Sequence, residues 1–327
     1  MKPVCSVTVD GGSVSADFNR RLSECEVVDN EGVSSDTVRL TLDDWPPAAI
    51  PATGAGIEVS MGYEGAALTF MGRFTAEEIE VSCFPHTISV TGKSADMGGP
   101  TKVNRNRHWD GKTLGEIVAL VSADMGYPAW VDPQIGAHAY EWLGQIGEGN
   151  VHFLERLAER HGAIFNIKNG QVIFAQRGGG ITPGGLGLSL VTVTPDKLQP
   201  GSCRVTMSER SKYKEVRAHY MDRATGMKKT VTETCKAGGE VLFEHGFPCA
   251  DEAEAKRVAR SRAGELDRRC KTFSASVLGD PTIKAGMPLV FDGVRAGIDG
   301  EQFIIDSATH RFSKSGGYIT DISGQVK

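Results

Sequence analysis

The stretch that decides the fold runs from residue 56 to residue 92 and reads GIEVSMGYEGAALTFMGRFTAEEIEVSCFPHTISVTG. Short segments of it alternate apolar with polar residues, a period of two that is typical of β-strands. The alternating apolar positions are Ile57, Val59 and Met61, then Leu68 and Phe70, then Ile79, Val81 and Cys83, and then Ile88 and Val90. Turn residues separate these segments, as at Phe84-Pro85. The stretch therefore predicts an all-β region, and the same pattern extends back to Val4.

A similar order of segments returns near the end of the chain. Met71-Gly72-Arg73-Phe74 leads into a strand, and so does Gly300-Glu301-Gln302-Phe303. The segments that follow, Thr87 to Gly92 and Ile319 to Gly324, both end in glycine. This similarity predicts that one β unit occurs twice, with Phe74 and Phe303 at corresponding positions.

The period changes to that of a helix between the two β regions. Thr113 and Glu116 have the spacing of a capping box, and Gly126 supplies the stop. A second helix is predicted from Asn150, as its N-cap, to Gly162. The apolar positions of the first helix are Leu114, Ile117, Val118, Val121 and Met125, and the second is followed by a hairpin signal at Asn169-Gly170.

Glycine-rich sequence marks a boundary after this middle segment, because Gly178-Gly179-Gly180 and the glycines up to Gly187 favour a flexible linker. The predicted organisation is a first β-barrel domain at 1–98, a helical α+β middle domain with a hairpin at 99–177, a linker at 178–187, and a second β-barrel domain at 188–327 that contains a helix at 251–269. The fold class expected is mainly β with an α+β middle segment.

Composition excludes two classes of function. The formal net charge is −5, which provides no basic face for wrapping nucleic acid. No apolar run approaches the 18 or so residues of a membrane-spanning helix, so we expect no membrane insertion.

Motifs of catalysis and cofactor binding are missing from the sequence. Gly92-Lys93-Ser94 resembles the end of a phosphate-binding loop, but that loop needs glycine where Thr87 stands. The signatures G-x-S-x-G and H-E-x-x-H are also absent, and the eight histidines do not cluster along the chain. His161, in the last turn of the second helix, is interpreted as a cation that complements the helix dipole. We therefore expect no catalytic, cofactor-binding or metal-binding residues.

Two other functions stay open at this point. A cell-wall hydrolase would need paired carboxylates or a metal site across a cleft, and the sequence offers no such constellation. A carbohydrate-binding module could use exposed tryptophans such as Trp45 or Trp142 to stack on sugars, although tryptophans in a chain of this length are more often core or contact residues.

Several segments carry a resemblance to a known family through their order and spacing, although no single one of them is diagnostic. These segments are Ser35 to Leu40, Asp43-Asp44, Met61 to Gly65, Met71 to Phe74, Thr91 to Met97, Trp109 to Gly115 and Asn150 to Ala158. On these segments the chain resembles the late control protein D family, the baseplate hub of contractile phage tails, and is similar to the N-terminal hub region of type VI secretion spike proteins.

The resemblance implies a structural virion protein rather than an enzyme. In that family, three chains each give two similar β-barrel tube domains to a ring of pseudo-sixfold symmetry. Such a homotrimer joins the sixfold tail tube to the threefold central spike, contacts baseplate wedge proteins and the tape measure protein, and lets DNA pass through its lumen. It is assembled in the host cytoplasm and resides in the tail baseplate.

The seven cysteines contain no C-x-x-C pair and are expected to be reduced during assembly. A virion later meets oxidising surroundings, in which thiols at subunit boundaries can cross-link. Cys5 and Cys25, in the N-terminal strands, are the candidates for an inter-subunit disulfide.

Overall fold

The computed structural model describes residues 2–13, 16–32, 35–94, 103–176, 188–222 and 224–327. The linker expected at 178–187 lies outside the described residues. The described helices are α1 Ala16–Arg21, α2 Leu114–Asp124, α3 Pro133–Gly136, α4 Asn150–His161 and α5 Glu252–Arg269. None of these helices is long and apolar enough to cross a bilayer.

The protein is mainly β, as the sequence predicts. The first part of the chain contains β1 Pro3–Val9, β2 Gly12–Ser13, β3 Leu22–Asn30, β4 Thr37–Asp43, β5 Gly56–Tyr63, β6 Thr69–Cys83 and β7 His86–Lys93. The middle contains β8 Asn104–Thr113, β9 Ala129–Val131, β10 Ala139–Gly149, β11 Ala163–Lys168 and β12 Gln171–Gln176. The remainder contains β13 Val191–Val193, β14 Arg204–Met207, β15 Glu215–Asp222, β16 Met227–Thr234, β17 Leu242–Glu244, β18 Lys271–Leu278, β19 Pro288–Phe291, β20 Gln302–Ser313 and β21 Gly317–Val326.

The largest sheet has two halves with the same strand order. The first half runs β3-β4-β7-β6-β5-β1, and the second half runs β14-β18-β21-β20-β19-β13. All neighbours pair antiparallel except β13 and β19, which pair parallel where β1 and β5 pair antiparallel. Each half buries one apolar face in its own core cluster.

Phe74 and Phe303 occupy corresponding positions in these halves. Phe74 pairs with Ile57 of β5, and Phe303 pairs with Leu289 of β19. Both phenylalanine side chains are fully buried. A β-bulge begins two residues after each of them, at Ala76/Glu78 and at Ile305/Ser307. The similarity seen in the sequence therefore corresponds to the same register in the structure.

The middle segment, residues 103–176, has a core of its own around α2 and α4. Thr113 caps α2 through a capping box with Glu116, and Gly126 follows the helix with a φ of +84°. Asn169 and Gly170 form the tight turn between β11 and β12 with φ angles of +52° and +74°, as the hairpin signal predicts.

The N-cap predicted for the second helix is wrong by one residue. Gly149 is the N-cap of α4, and Asn150 is the first helical residue. The Asn150 side chain is buried, where its Oδ1 accepts hydrogen bonds from Arg107 Nη2 at 3.0 Å and Gln145 Nε2 at 3.1 Å. Because this oxygen serves the core, it is not available to cap the helix.

A further small unit is inserted between β14 and β18. Strands β15, β16 and β17 form a three-stranded sheet, and α5 packs on it with a separate apolar core. The side chain of Asp251 caps α5 by accepting from the Glu254 backbone N–H at 2.7 Å. The sequence predicts the helix, but its strand pattern did not separate this unit from the surrounding β region.

Candidate assembly interface

The two halves of the large sheet are joined by one antiparallel strand pair, which we call the seam. Residues Ser307 to Ser313 of β20 pair with residues Asn30 to Glu24 of β3. Since β20 also pairs with β21 and β3 with β4, the backbone hydrogen bonding continues from one half into the other. Ordinary sheet pairing thus fixes the two halves to each other.

Side chains on the two faces of the seam have different roles. On the core face, Cys25, Val27, Ala308 and Phe312 are all buried, so the apolar contact there supplies most of the stabilisation. On the other face, Arg311 donates to Glu26 at 2.7 Å and to Asp321 at 2.6 Å. The Arg311 side chain is 58% exposed, and such pairs contribute little to stability.

A tyrosine also bridges the halves. The Tyr63 hydroxyl donates to the carbonyl oxygen of Gly279 at 2.8 Å, and its ring lies 5.9 Å from that of Tyr318. The Tyr318 hydroxyl lies 2.9 Å from Nδ1 of His310, whose Nε2 lies 3.0 Å from the carbonyl oxygen of Ile283. Burial lowers the pKa of His310 and keeps the ring neutral, so Nε2 donates to the carbonyl and Nδ1 accepts from the tyrosine.

A lysine attaches the middle segment to the seam. Lys168, at the end of β11, forms ion pairs with Asp29 and, at 3.4 Å, with Asp36. The other carboxylate oxygen of Asp29 accepts from the backbone N–H of Ala285, in the second half, at 3.0 Å. Asp29 thus contacts both the middle segment and the second half of the sheet.

The charges of this cluster perturb one another. Burial raises the pKa of Asp36 to about 7, against the opposing effect of Lys168. Burial by itself lowers the pKa of Lys168, but Asp29 and Asp36 together raise it above its ordinary value. Sequence reasoning missed this cluster, and the one available signal was a single charged residue, Lys168, in the largely apolar strand β11.

The cysteines named in the sequence analysis lie side by side within one chain. Cys25 is 1% exposed, and Cys5 is half-buried against the same core cluster. A hydrogen bond to Cys5, followed by burial, raises the pKa of the Cys25 thiol well above its usual range. An inter-subunit disulfide through Cys5 or Cys25 stays a prediction.

The interpretation of His161 as a helix-terminal cation is wrong. Burial lowers the pKa of His161 to about 3, so the ring is neutral at physiological pH. Its Nε2 lies 2.6 Å from the Tyr140 hydroxyl, and its ring lies 5.0 Å from that of His138. Histidines scattered in the sequence therefore do meet in space. In the described part of the chain, no group of three or more His, Cys, Asp or Glu residues is arranged to hold a metal ion.

Trp142 and Trp45 are both on the surface, with exposed fractions of 60% and 66%. Trp142 lines an open cleft of about 430 Å³ together with Ile146 and Arg156. Arg156 is held by Glu148 in this cleft and donates to the carbonyl oxygen of Gly144 at 2.9 Å. The Trp45 ring instead stacks on His86, with 4.9 Å between ring centroids.

Each half of the joined sheet has a strand with an unpaired edge within the described residues. Strand β14 pairs with β18 on one side only. Strand β6 pairs with β5 up to Thr75 and, beyond Ala76, with β7 alone. Unpaired backbone groups of this kind are templates for a strand from another chain.

Comparison with known proteins shows which family and which solved structures the chain is similar to. The family model described as phage tail baseplate hub (GPD) matches residues 31–316. A probable baseplate hub protein of Escherichia phage 186 is 26% identical, over 100% of this chain and 94% of that protein.

Two solved structures share the fold. The 43 kDa tail protein of prophage MuSo2 from Shewanella oneidensis has a TM-score of 0.71 at 15% identity and covers 98% of both chains. A component of the E. coli type VI secretion system has a TM-score of 0.58 at 12% identity, with 98% of this chain and 76% of that chain covered.

Proposed function

Because this chain belongs to the phage tail baseplate hub family, and is thus a structural protein of the tail baseplate, we propose that three copies close into a ring of pseudo-sixfold symmetry. The observation that carries the proposal is the repeated strand order of two sheet halves joined by a seam, with an open strand edge on each half. A chain with complementary open edges on its two halves associates head to tail, and head-to-tail contacts form closed rings when the rotation allows.

We assign one tube domain to residues 1–98 and another to residues 188–327. Three chains then present six similar domains to the sixfold tail tube, while the chain itself repeats three times and matches a threefold spike. The middle domain at 99–177 lies outside this repeat and is available to baseplate wedge proteins. In this arrangement the hub adapts one symmetry to the other at the end of a contractile tail.

The ring would also be part of the DNA conduit. Three chains carry three times the formal net charge of −5, and a channel without excess cations does not displace the counterions of DNA. The partners are the tail tube protein, the central spike protein, the wedge proteins and the tape measure protein, with DNA present only in transit.

Cryo-EM of tails, combined with native mass spectrometry of the released hub, tests the proposal. The expected result is three copies at the tail tip, with the two sheet halves related by about a sixth of a turn, since a closed ring divides evenly among its domains. A hub of six copies, or a monomer in the assembled tail, would contradict it.

A further inference from the structure

The seam inside one chain indicates how two chains meet. The two halves share strand order, and strands β3, β4, β7 and β6 have the same register as β14, β18, β21 and β20, so paired residues of these strands have equivalents in the other half. Strand β20 corresponds to β6, since Phe303 and Phe74 are equivalent. Strand β3 corresponds to β14, because Val27 pairs with Val38 in the same way that Val205 pairs with Phe273. Because β20 pairs with β3, the equivalent partner for β6 is β14. Within one chain, β14 lies at the far end of the sheet and does not reach β6.

The burial of the equivalent positions supports a missing partner. On β20, His310 is fully buried beneath the seam, whereas its equivalent on β6, Val81, is 38% exposed. Phe312 is 9% exposed, whereas its equivalent Cys83 is an exposed residue. The alternating sequence predicts that this side of β6 faces a core, yet in one chain it faces solvent.

The core-side residues of the short strand β14 are also more exposed than their equivalents. On β3, Cys25 and Val27 are each 1% exposed, whereas their equivalents Cys203 and Val205 are only half-buried. Met207, on the same face of β14, is 65% exposed. Both edges thus leave an apolar row uncovered.

We propose that β14 of one copy pairs antiparallel with the outer part of β6 of the next copy, with Val205 opposite Val81, and that this register places Cys203 opposite Cys83 for an inter-subunit disulfide. The inference rests on the proposed ring and specifies its interface. Applying the register of the seam, in which His310 faces Val27 and Phe312 faces Cys25, gives these pairs directly.

The chemistry of the facing residues is compatible with this register. Two residues further along, Met207 lies opposite Ile79, so the whole core-side row is apolar. On the other face, Arg204 lies diagonal to Glu80, within reach for an ion pair between chains. The polarity matches on both faces of the pair, whereas a shift by one residue would place Val81 against a charged or polar face.

The cysteine pair fits disulfide geometry. Residues directly opposite in an antiparallel pair have Cα atoms about 4.5 to 5.5 Å apart, inside the roughly 4.4 to 6.8 Å range of disulfides. Both thiols are free in the single chain. The oxidant is a low-molecular-weight disulfide met after lysis. The Cys83 thiolate attacks it and releases one small thiol; the Cys203 thiolate then attacks the Cys83 sulfur of that mixed disulfide and releases the second small thiol.

Non-reducing electrophoresis of purified tails, treated with oxidised glutathione and then alkylated and denatured, tests the register. We expect covalent dimers and trimers of the hub. Cys83→Ser or Cys203→Ser alone removes every cross-linked band, whereas Cys235→Ser, at a buried cysteine outside β6 and β14, leaves the bands unchanged. Tails assembled from a mixture of C83S and C203S chains yield dimers but no trimers, because only one type of contact retains both thiols.

An engineered pair tests the strand pairing without the native thiols. In chains carrying C83S and C203S, Val81→Cys with Val205→Cys restores the cross-link, while Val81→Cys with Thr206→Cys, one residue out of register, does not. A threefold hub by native mass with no cross-link in either experiment overturns this register and leaves the ring intact. A hub that is not threefold overturns the ring, and a cross-link that instead requires Cys5 or Cys25 overturns the assignment of Cys83 and Cys203.

Discussion

The carbonyl oxygen of Thr75 lies 2.9 Å from the point that a Cβ atom on Gly92 would occupy. At the equivalent place in the second half of the sheet, the carbonyl oxygen of Ile304 stands even closer to the corresponding point on Gly324. Both glycines face the residue at which a β-bulge begins, Ala76 in one case and Ile305 in the other. The bulge turns a backbone oxygen toward the partner strand, and only glycine leaves room for it.

Alanine at either glycine should destabilise the protein. Gly92→Ala is expected to cost about 1–3 kcal/mol of unfolding free energy, and Gly324→Ala more, because backbone must move in both. Chemical denaturation measures the difference. Gly246→Ala is the control, since nothing lies within 4 Å of its added methyl group and its φ is not positive. Equal stability of all three variants would contradict the close contact.

Asp36 should make stability fall as pH rises. Its pKa is raised from 3.8 to about 7 in the folded chain, so between pH 4 and pH 7 the folded state holds a proton that the unfolded state has lost. The stabilisation is complete below about pH 4 and is lost as pH rises through 7. In Asp36→Asn, stability should therefore fall less between pH 4 and pH 7 than it does in the unmodified protein. Melting temperatures across pH 4 to 8 measure it, and parallel curves for the two proteins would refute the burial of this carboxyl.

His161 should make stability fall as pH falls, the opposite of the effect of Asp36. Because burial lowers its pKa from 6.5 to about 3, the unfolded chain takes up a proton between those values that the folded chain does not. Its contribution is present above pH 6.5 and is lost as pH falls toward 3. His161→Gln keeps a side chain that can accept from the Tyr140 hydroxyl and should make the protein less sensitive to acid. Unfolding measured from pH 7 down to pH 4 tests this, and unchanged acid sensitivity would count against a neutral buried ring.

Arg107 should be sensitive to even a conservative change. Its guanidinium donates to Gln145 Oε1 at 2.7 Å and to Asn150 Oδ1 at 3.0 Å, pairs with Asp124, and stacks 4.8 Å from the Trp109 ring centroid. A lysine ammonium cannot make this planar arrangement of hydrogen bonds and ring contact. Arg107→Lys is therefore expected to lower the free energy of unfolding by about 2–4 kcal/mol.

Arg73→Lys is the matched control for that substitution. Arg73 pairs with Glu58, but its side chain is 65% exposed, and we expect a change below about 0.5 kcal/mol. Thermal unfolding of the two variants compares them. Similar losses at both positions would show that the Arg107 network has no special role.

The sequence predicts those parts of the fold that depend on local rules. Alternation located the strands of the first half, the capping box located α2, and Asn169-Gly170 located a hairpin. Contacts between distant segments have no such local signature. The ion pairs of Lys168 join strands more than a hundred residues apart, and the meeting of His138 with His161 depends on packing.

The sequence predicts the proposed assembly interface only in part. The repeated phenylalanine and glycine pattern revealed two similar units, but it did not show that β3 and β20 join them. That pairing links positions about 280 residues apart, and only the structure supplies its register. Once the register is known, the exposed apolar row on β6 becomes interpretable as half of a contact.

The seam has a consequence for copy number. The angle between the two halves is set within a single polypeptide by the twist of β20 against β3 and by the bulge beside it. If neighbours repeat the same pairing, that one angle, applied six times, must complete a full turn. In such a ring, the angle fixed within each folded chain sets the number of copies before any two chains meet. A change at the bulge would therefore alter how many chains are needed to close the ring.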